Sequence, residues 1–304
     1  MADQALDRLN AAGWIPLGIS DKDRINGLLG RDGSETSEMN FTNLFMWRHH
    51  YRPMWREYRN SLIVFCAPEA EVPFALPPAG PGDQAQAVAY IFRTMKELDL
   101  VPRIHRAGRS LIQDLNEKIE TKIEPDPDQD DYVYLTADLI SLSGRRLHQK
   151  KNHLNHFLKN YSFEVKPLDV EAVECVLDMQ AAWCQVRKCQ DDPRLLGEDR
   201  AIYEALKHFE YLDYQGLVIA LDSQIEAFAL GERLNPETAV IHIEKANPEV
   251  RGLYAAINQL SCQRIWPEYK YINREQDLGL AGLRQAKRSY QPHHMVQKFT
   301  ILPG

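Results

Sequence analysis

The order of apolar and polar residues along the chain predicts two α/β halves that share one pattern of strands and helices. Short apolar runs of the kind that form buried strands recur about half a chain apart, and each is followed by further strands and helices in a similar order. In the first half we expect strands at residues 15–17, 62–65, 72–76, 101–105 and 132–135. In the second half we expect the matching strands at residues 165–169, 217–220, 225–233, 269–273 and 296–301.

A helix is predicted between the two halves. Leu147, Leu154, Phe157 and Leu158 recur at helical spacing among polar and basic residues, which is typical of an amphipathic helix. Ser143 is suited to cap the first turn of this helix. We therefore predict an N-terminal domain, a basic bridging helix and a C-terminal domain at residues 1–142, 143–160 and 161–304.

The second half contains a strand, a turn and a helix in an order that suits anion binding. Residues 239–245 alternate between apolar and polar side chains, and Asn247-Pro248 ends this strand. Arg251-Gly252 then precedes the next helix, whose first turn has unpaired backbone N–H groups. The alternative is an ordinary strand, turn and helix with Arg251 in solvent.

The composition is that of a folded protein without a basic surface overall. The chain has 304 residues, of which 44% are hydrophobic and 26% charged, and a formal net charge of -7. A chain of this length and apolar content buries a large core, which excludes global disorder. The acidic balance argues against a protein that coats nucleic acid with its whole surface.

The N-terminal residues carry early charges and lack the apolar run of a signal peptide, and no apolar run is long enough to span a membrane. We therefore expect a cytoplasmic protein. An odd and scattered set of cysteines in such a protein indicates reduced thiols. These cysteines are Cys66, Cys175, Cys184, Cys189 and Cys262.

Two segments are locally basic within this acidic chain. Residues 144–161 contain no acidic residue, and none follows Asp277. Local basic surfaces suit a polyanionic ligand, although a charged run is often only the solvated face of a helix. The candidate polyanion-binding residues are Arg145, Arg146, Lys150, Lys151, Arg284, Lys287 and Arg288.

Several common sites are absent from the sequence. There is no Walker A loop and no nucleophile elbow, and the glycines near residue 30 lack the spacing of a dinucleotide site. Cys184 and Cys189 have no second pair to complete a zinc site. His153 and His156 share a helix face, but two ligands do not hold a structural metal, so we predict none.

Four long strings resemble one protein family. LSGRRLHQKKNHLNHF, EAFALGERLNPETAVIHIEKANPEVRGLYAAINQ, YINREQDLGLAGLRQAKRSYQP and NFTNLFMWRHHY resemble the phosphatidylglycerol lysyltransferase C-terminal-domain family. The resemblance covers most of the chain. It implies an α/β protein with tandem GNAT-type acyltransferase folds, each a mixed, mostly antiparallel sheet flanked by helices.

The resemblance also implies where the donor substrate lies. GNAT folds hold the donor between their fourth and fifth strands, which implies these donor-binding residues: His242, Lys245, Asn247, Arg251, Gly252, Asn273 and Arg274. The pyrophosphate motif of acyl-coenzyme A enzymes is interrupted, because Tyr254 stands where its central glycine belongs. In the other register, with Gly252 at the centre, Glu249 and Tyr254 stand at the ends. The interruption favours an aminoacyl-tRNA donor over acyl-coenzyme A, and no tightly bound cofactor is expected.

The family pattern implies a tyrosine that protonates the leaving group, and here it is Tyr290. Glu244 or Glu275 would deprotonate the acceptor, and spacing does not select between them. The resulting hypothesis is an acyl- or aminoacyltransferase in the C-terminal half. Its partners would be tRNA and a small-molecule, peptide or lipid-headgroup acceptor with an amine or hydroxyl. The alternatives are a non-catalytic binding module on a degenerate GNAT scaffold and an acetyl-coenzyme A-dependent N-acetyltransferase.

Overall fold

The computed structural model describes residues 2–30, 33–115 and 118–304. The chain forms two compact units. The first contains the residues up to Asp131 together with Val296–Gly304, and the second is Tyr132–Met295. Each unit has its own seven-stranded sheet and its own helices.

The strands are numbered in chain order. They are β1 Ile15–Pro16, β2 Met54–Tyr58, β3 Ser61–Cys66, β4 Phe74–Ala75, β5 Ile104–Ala107, β6 Thr121–Pro125, β7 Asp131–Leu135, β8 Glu164–Pro167, β9 Gln215–Leu221, β10 Gln224–Asn235, β11 Thr238–Ala246, β12 Tyr271–Asn273, β13 His294–Val296 and β14 Phe299–Pro303.

The α-helices are numbered in the same way. They are α1 Ala2–Ala11, α2 Lys22–Leu29, α3 Phe41–Met46, α4 Arg48–Tyr51, α5 Gln84–Glu97, α6 Arg109–Leu115, α7 Thr136–Ser141, α8 His148–Asn160, α9 Val173–Arg187, α10 Pro193–Lys207, α11 Leu253–Arg264 and α12 Ala281–Arg288.

The two sheets have corresponding strand orders. The first runs β1-β2-β3-β4-β5-β14-β6 and the second, from its other edge, β8-β9-β10-β11-β12-β7-β13. In both, the first four strands run antiparallel to one another, and the fourth runs parallel to the fifth. These mixed, mostly antiparallel sheets flanked by helices confirm the predicted fold class.

The sixth strand of each sheet comes from the other half of the sequence. β7 pairs with β12 in the second sheet, and β14 pairs with β5 and β6 in the first. The run predicted as one strand at 296–301 is divided, since β13 ends at Val296 and β14 begins at Phe299. The compact units therefore do not follow the predicted boundaries of 1–142 and 161–304.

The predicted bridging helix 143–160 is shorter than expected. α8 begins at His148, with Leu147 rather than Ser143 at the N-cap position. Gly144 has a φ of 85°, so the chain turns there instead of starting the helix. α8 belongs to the second unit and packs on α11.

Strands β2 and β6 escaped the sequence prediction, and β2 changes how the two halves correspond. β2 pairs with both β1 and β3, so by position in the sheet β3 corresponds to β10 and not to β9. The polar residues Arg56 and Glu57 in β2 mask the apolar pattern of a strand. The predicted matching of residues 62–65 with 217–220 is consequently shifted by one strand.

The first unit holds a buried charged cluster beside its apolar core. Lys298 has no exposed surface, and its Nζ donates to Glu38 Oε1 at 2.7 Å and to Asp131 Oδ1 at 2.6 Å. The backbone N–H of Lys298 donates to Asp130 Oδ1 at 2.8 Å. Arg106 Nε lies 3.8 Å from the same oxygen of Glu38, so two cations face two carboxylates. Buried charges are tolerated when they are paired in this way.

The second unit is built around α11, which is buried along nearly its whole length. Gly252, just before this helix, has a φ of 91°, and a Cβ there would lie 2.2 Å from the backbone oxygen of His153 in α8. Only glycine combines that dihedral with so close a backbone contact. The close packing of α8 on the start of α11 therefore depends on Gly252.

Cys184 and Cys189 form a disulfide, so the prediction of reduced thiols was wrong for these two residues. Lys188 ends α9 in the left-handed conformation, and the two Cα atoms lie 5.0 Å apart. Cys66, Cys175 and Cys262 are free. Among the described residues, no helix combines the length and apolar character needed to cross a lipid bilayer.

We expect Gly252→Ala to lower the free energy of unfolding by about 3 kcal/mol, because the new Cβ meets a backbone oxygen and requires an unfavourable φ. Gly282→Ala is the matched control, since a Cβ at Gly282 meets nothing within 4 Å. That control changes stability by less than about 1 kcal/mol. Denaturant unfolding of both variants measures the difference, and equal stabilities would contradict the packing role of Gly252.

Candidate functional site

The centre of the second sheet opens where β11 and β12 separate. These parallel strands pair only from Thr238–Tyr271 to Val240–Asn273, after which β12 ends and β11 continues to Ala246. On its other side β11 stays paired with β10. His242 forms a β-bulge there, because Gly231 pairs with Ile241 and Leu230 with Ile243, which leaves His242 without an opposite residue. Such a bulge bends a strand and redirects its side chains. The second half of β11 thus borders an opening in the sheet.

The chain after β12 supplies polar groups to this opening. The backbone N–H of Arg274 donates to Tyr132 O at 2.9 Å, which keeps the segment beside β7. Glu275 has a φ of 57°, and its N–H donates to Asn273 Oδ1 at 2.7 Å. A non-glycine residue in this conformation is uncommon and is found more often at functional sites.

Arg274 and Glu244 form an ion pair across the opening. Arg274 Nη2 donates to Glu244 Oε1 at 2.9 Å, and Asn258 Nδ2 in α11 donates to Glu244 Oε2 at 2.9 Å. Both carboxylate oxygens are therefore engaged. Within the described chain, Arg274 Nη1 and Asn258 Oδ1 are buried without a hydrogen-bond partner. Buried polar atoms without a partner call for a ligand or water.

Aromatic rings flank this ion pair. The guanidinium carbon of Arg274 lies 4.7 Å from the centre of the Tyr290 ring and 5.6 Å from that of Tyr134. Tyr290 is 5% exposed, and burial raises the pKa of its hydroxyl, which therefore stays protonated at neutral pH. A protonated phenol beside the guanidinium of Arg274 is equipped to donate a proton.

Lys150 of α8 completes the cluster. Its Nζ lies 4.2 Å from the centre of the Tyr290 ring. Burial lowers the pKa of Lys150 to about 8, and the positive charge of Arg274 acts in the same direction. Within the described residues, Lys150 makes no ion pair or hydrogen bond. Lys150 was predicted to bind a polyanion at the surface. The structure places it half-buried against the Tyr290 ring.

His242 is held between two carboxylates. Its Nδ1 lies 2.9 Å from Glu275 Oε1 and its Nε2 2.9 Å from Glu232 Oε1. Burial disfavours the imidazolium, but the hydrogen bonds and charges of both glutamates outweigh it and raise the pKa of His242 to about 9. Both ring nitrogens have partners, so the side chain of His242 positions Glu275. A contact of His242 with the donor substrate, as predicted from the sequence, would have to come from its backbone.

Lys245 and Asn247 have other partners. Lys245 Nζ lies 2.6 Å from Glu198 Oε2 and 3.7 Å from the centre of the Trp183 ring. Asn247 Nδ2 donates to Glu226 Oε2 at 2.8 Å. Successive residues of a strand face opposite sides of the sheet, so Lys245 and Glu244 project to opposite faces. The structure does not bring Lys245 to the Arg274–Glu244 pair.

The predicted phosphate turn is covered. The contact between Gly252 and the backbone oxygen of His153 places α8 against the first turn of α11. Arg251 beside it is exposed. In an acyl-coenzyme A enzyme the start of this helix would bind pyrophosphate. Here α8 packs against it instead.

Two predicted polyanion-binding residues instead organise the loop after β12. Arg284 Nε and Nη2 donate to the two oxygens of Asp277 at 2.7 and 2.9 Å. Lys287 is buried, and its Nζ donates to the backbone oxygens of Arg274 and Glu275. Of the remaining candidates, those exposed to solvent are Arg145, Arg146 and Arg288, while Lys151 is half-buried.

Two site residues were not singled out from the sequence. Asn258 is the polar residue in the otherwise apolar stretch that opens α11, which is a signal that sequence inspection offers. Tyr134 lies in β7, which was predicted to belong to the first half, so nothing in the sequence associates it with Arg274. Among the described residues, no cluster of His, Cys, Asp or Glu is suited to hold a metal ion.

We expect His242 to make a pH-dependent contribution to stability. A pKa of 6.5 in the unfolded chain and about 9 in the fold gives about 3 kcal/mol. Because the folded pKa is raised, this contribution is fully present below pH 6.5 and is lost as pH rises through 9. The difference in free energy of unfolding between wild type and His242→Gln should fall over that range. A constant difference would contradict the charged state of His242.

Solved structures of other proteins share the fold of this chain. A crystal structure of a conserved protein of unknown function from Bacteroides thetaiotaomicron is 29% identical, with a TM-score of 0.88 over 96% of this chain and 99% of that one. The structure of L-PGS from Bacillus licheniformis is 14% identical, with a TM-score of 0.64 over 93% of this chain and 92% of that one. At that identity the likeness shows the fold alone.

A curated relative is an uncharacterized protein of Mycoplasmoides gallisepticum, 27% identical over 177 residues, or 56% of this chain and 55% of the relative. The match thus spans about half the length of that relative. The sequence model of the family described as phosphatidylglycerol lysyltransferase, C-terminal, matches residues 31–302. Because this match covers nearly the whole chain, the protein belongs to the phosphatidylglycerol lysyltransferase C-terminal family.

Proposed function

We propose that the second unit transfers an aminoacyl group from an activated ester, with aminoacyl-tRNA as the favoured donor, to an amine or hydroxyl acceptor. The observation that carries the proposal is the cluster of Arg274, Glu244, Tyr290 and Lys150 beside the opening between β11 and β12. The membership of the chain in a family named for a lysyltransferase supports the reaction class.

In the proposed reaction, the acceptor amine or hydroxyl attacks the ester carbonyl of the donor. The bond from the acceptor to the carbonyl carbon forms, and the bond from that carbon to the ribose oxygen breaks. Backbone N–H groups of β11 beyond Val240 are the donors that we assign to the oxyanion, a role that usually stabilises the transition state most. Tyr290 gives its proton to the departing ribose oxygen.

The donor assignment rests on the start of α11. The contact of Gly252 with His153 O supports a donor other than acyl-coenzyme A, because α8 takes the place of a pyrophosphate. The exposed residues Arg145, Arg146 and Arg288 suit the phosphates of an RNA. We therefore place aminoacyl-tRNA before acyl-coenzyme A.

The acceptor is proposed only as a chemical class. The family name refers to a lipid, phosphatidylglycerol, whose headgroup offers a hydroxyl. Small molecules and peptides with a free amine or hydroxyl fit the same reaction. In each of them the nucleophile must lose a proton, so the site needs a proton acceptor as well as the proton donor Tyr290.

Parallel titration with coenzyme A and with aminoacylated tRNA separates the candidate functions. We expect the tRNA to raise the melting temperature and coenzyme A to leave it unchanged. Phosphate contacts release counterions, so the effect of tRNA should weaken with added salt. Stabilisation by coenzyme A alone would indicate an N-acetyltransferase, and no response to either ligand would favour a non-catalytic binding module.

We expect Tyr290→Phe to lower turnover by about 10²-fold, the usual contribution of a general acid, with little change in donor binding. Tyr269→Phe removes a hydroxyl elsewhere in the same unit and serves as the matched control, with turnover near that of wild type. Steady-state turnover and donor affinity are measured for both. Unchanged turnover in Tyr290→Phe removes Tyr290 from the mechanism.

A further inference from the structure

The proposed reaction releases a proton from the acceptor, and the carboxylates predicted to take it are engaged. Glu244 accepts hydrogen bonds on both oxygens, from Arg274 and Asn258. Glu275 has Oε1 against the His242 ring. Protonating either carboxylate would leave a buried cation with a weakened partner, which is costly. Both residues are therefore better suited to position neighbours than to exchange protons.

Lys150 differs from these carboxylates in its surroundings. It is half-buried, it lies over the ring of the proposed acid Tyr290, and it has no carboxylate within ion-pair distance among the described residues. An amine in such a place is held by ring contact alone, and its nitrogen remains available to a substrate proton. The position derives from α8, whose close approach to α11 depends on Gly252.

Burial is the main cause of the lowered pKa of Lys150, and the charge of Arg274 adds to it. Arg274, from the segment after β12, disfavours a second positive charge, while Glu244 of β11 opposes that effect. Tyr290 faces it as a neutral phenol, and Tyr134, whose ring centre lies 6.5 Å from that of Tyr290, is neutral as well, because burial raises the pKa of both. His153, one turn along α8, has its own pKa lowered and is mainly neutral at pH 7. With a pKa of about 8, about one tenth of Lys150 is the neutral amine at pH 7.

We propose that Lys150 is the proton acceptor of this site and takes the proton that the acceptor amine or hydroxyl loses as it attacks the ester. This assignment rests on the proposed transferase function. The bond from the acceptor to carbon forms, the bond from carbon to the ribose oxygen breaks, Lys150 gains one proton and Tyr290 loses one. Exchange with solvent then restores both groups, so atoms and charge balance.

A phosphate-binding role for Lys150 predicts a different outcome from a proton-accepting role. An arginine would keep a phosphate contact, because guanidinium binds phosphate at least as well as ammonium does. The same arginine cannot accept a proton, since it stays charged in proteins. Lys150→Arg therefore separates the two roles while retaining the positive charge over the Tyr290 ring.

The first experiment compares Lys150→Arg with Lys159→Arg, an exposed position on the same helix. We expect Lys150→Arg to lower turnover by about 10²-fold or more with little change in donor affinity, and Lys159→Arg to behave as wild type. Wild-type turnover should rise with pH to a plateau above about 8, and this rise should be absent in Lys150→Arg. Turnover near wild type in Lys150→Arg overturns the proposal.

The second experiment has a readout that does not depend on turnover, and transfer is measured separately on the same protein. Competitive labelling with acetic anhydride across pH, read by mass spectrometry of Lys150 and Lys159 in one sample, gives the titration midpoint of each amine. We expect a midpoint of about 8 for Lys150, well below the value of about 10.4 for lysine in a model peptide. If Lys150 titrates at the model-peptide value while the protein transfers aminoacyl groups normally, the proton-accepting role is overturned and the transferase function stands. A midpoint near 8 in a protein that transfers no aminoacyl group overturns the proposed function, and with it the role of Lys150.

Discussion

The ion pair of Arg274 and Glu244 holds the second sheet together where its backbone pairing stops. β11 and β12 share a ladder for three residue pairs and then separate, and the guanidinium reaches Glu244 beyond the last of those pairs. A buried ion pair is a poor source of stability on its own, because both charges lose water. Its value here is positional, since Asn258, Tyr134, Tyr290 and Lys150 are all arranged around it.

The first unit uses similar groups in another way. Arg106 of β5 lies 4.5 Å from the centre of the Tyr51 ring and 3.8 Å from Glu38, much as Arg274 lies by Tyr290 and Glu244. There, however, the lysine of the cluster donates to two carboxylates and is fully buried. In the second unit the corresponding lysine is Lys150, which has no carboxylate within ion-pair distance in the described parts of the chain. One unit has satisfied its charges internally, while the other retains an amine that can exchange a proton.

Apolar runs made much of the fold predictable. β3, β9 and β11 are buried on both faces and stand out in the sequence, whereas the polar residues of β2 hide it. The exchange of β7 and β14 was not predictable, because partner choice between strands depends on contacts far apart in sequence. At the site, the family strings point to Arg274 and Tyr290. From the sequence alone, charged residues are expected in solvent. The burial of Lys287 and the lowered pKa of Lys150 result from the packing around them, which the sequence does not show.

The exchanged strands bear on how the chain folds as it is made. The second unit is contiguous, so all strands of its sheet are available once residue 296 has been synthesised. The first unit lacks the strand between β5 and β6, and the partner ammonium of Glu38 and Asp131, until residues 296–304 follow. Although its sequence comes first, the first unit must therefore be completed last. During synthesis it carries an unpaired strand edge and two carboxylates that lack Lys298, and this is the stage at which a chaperone would be most needed.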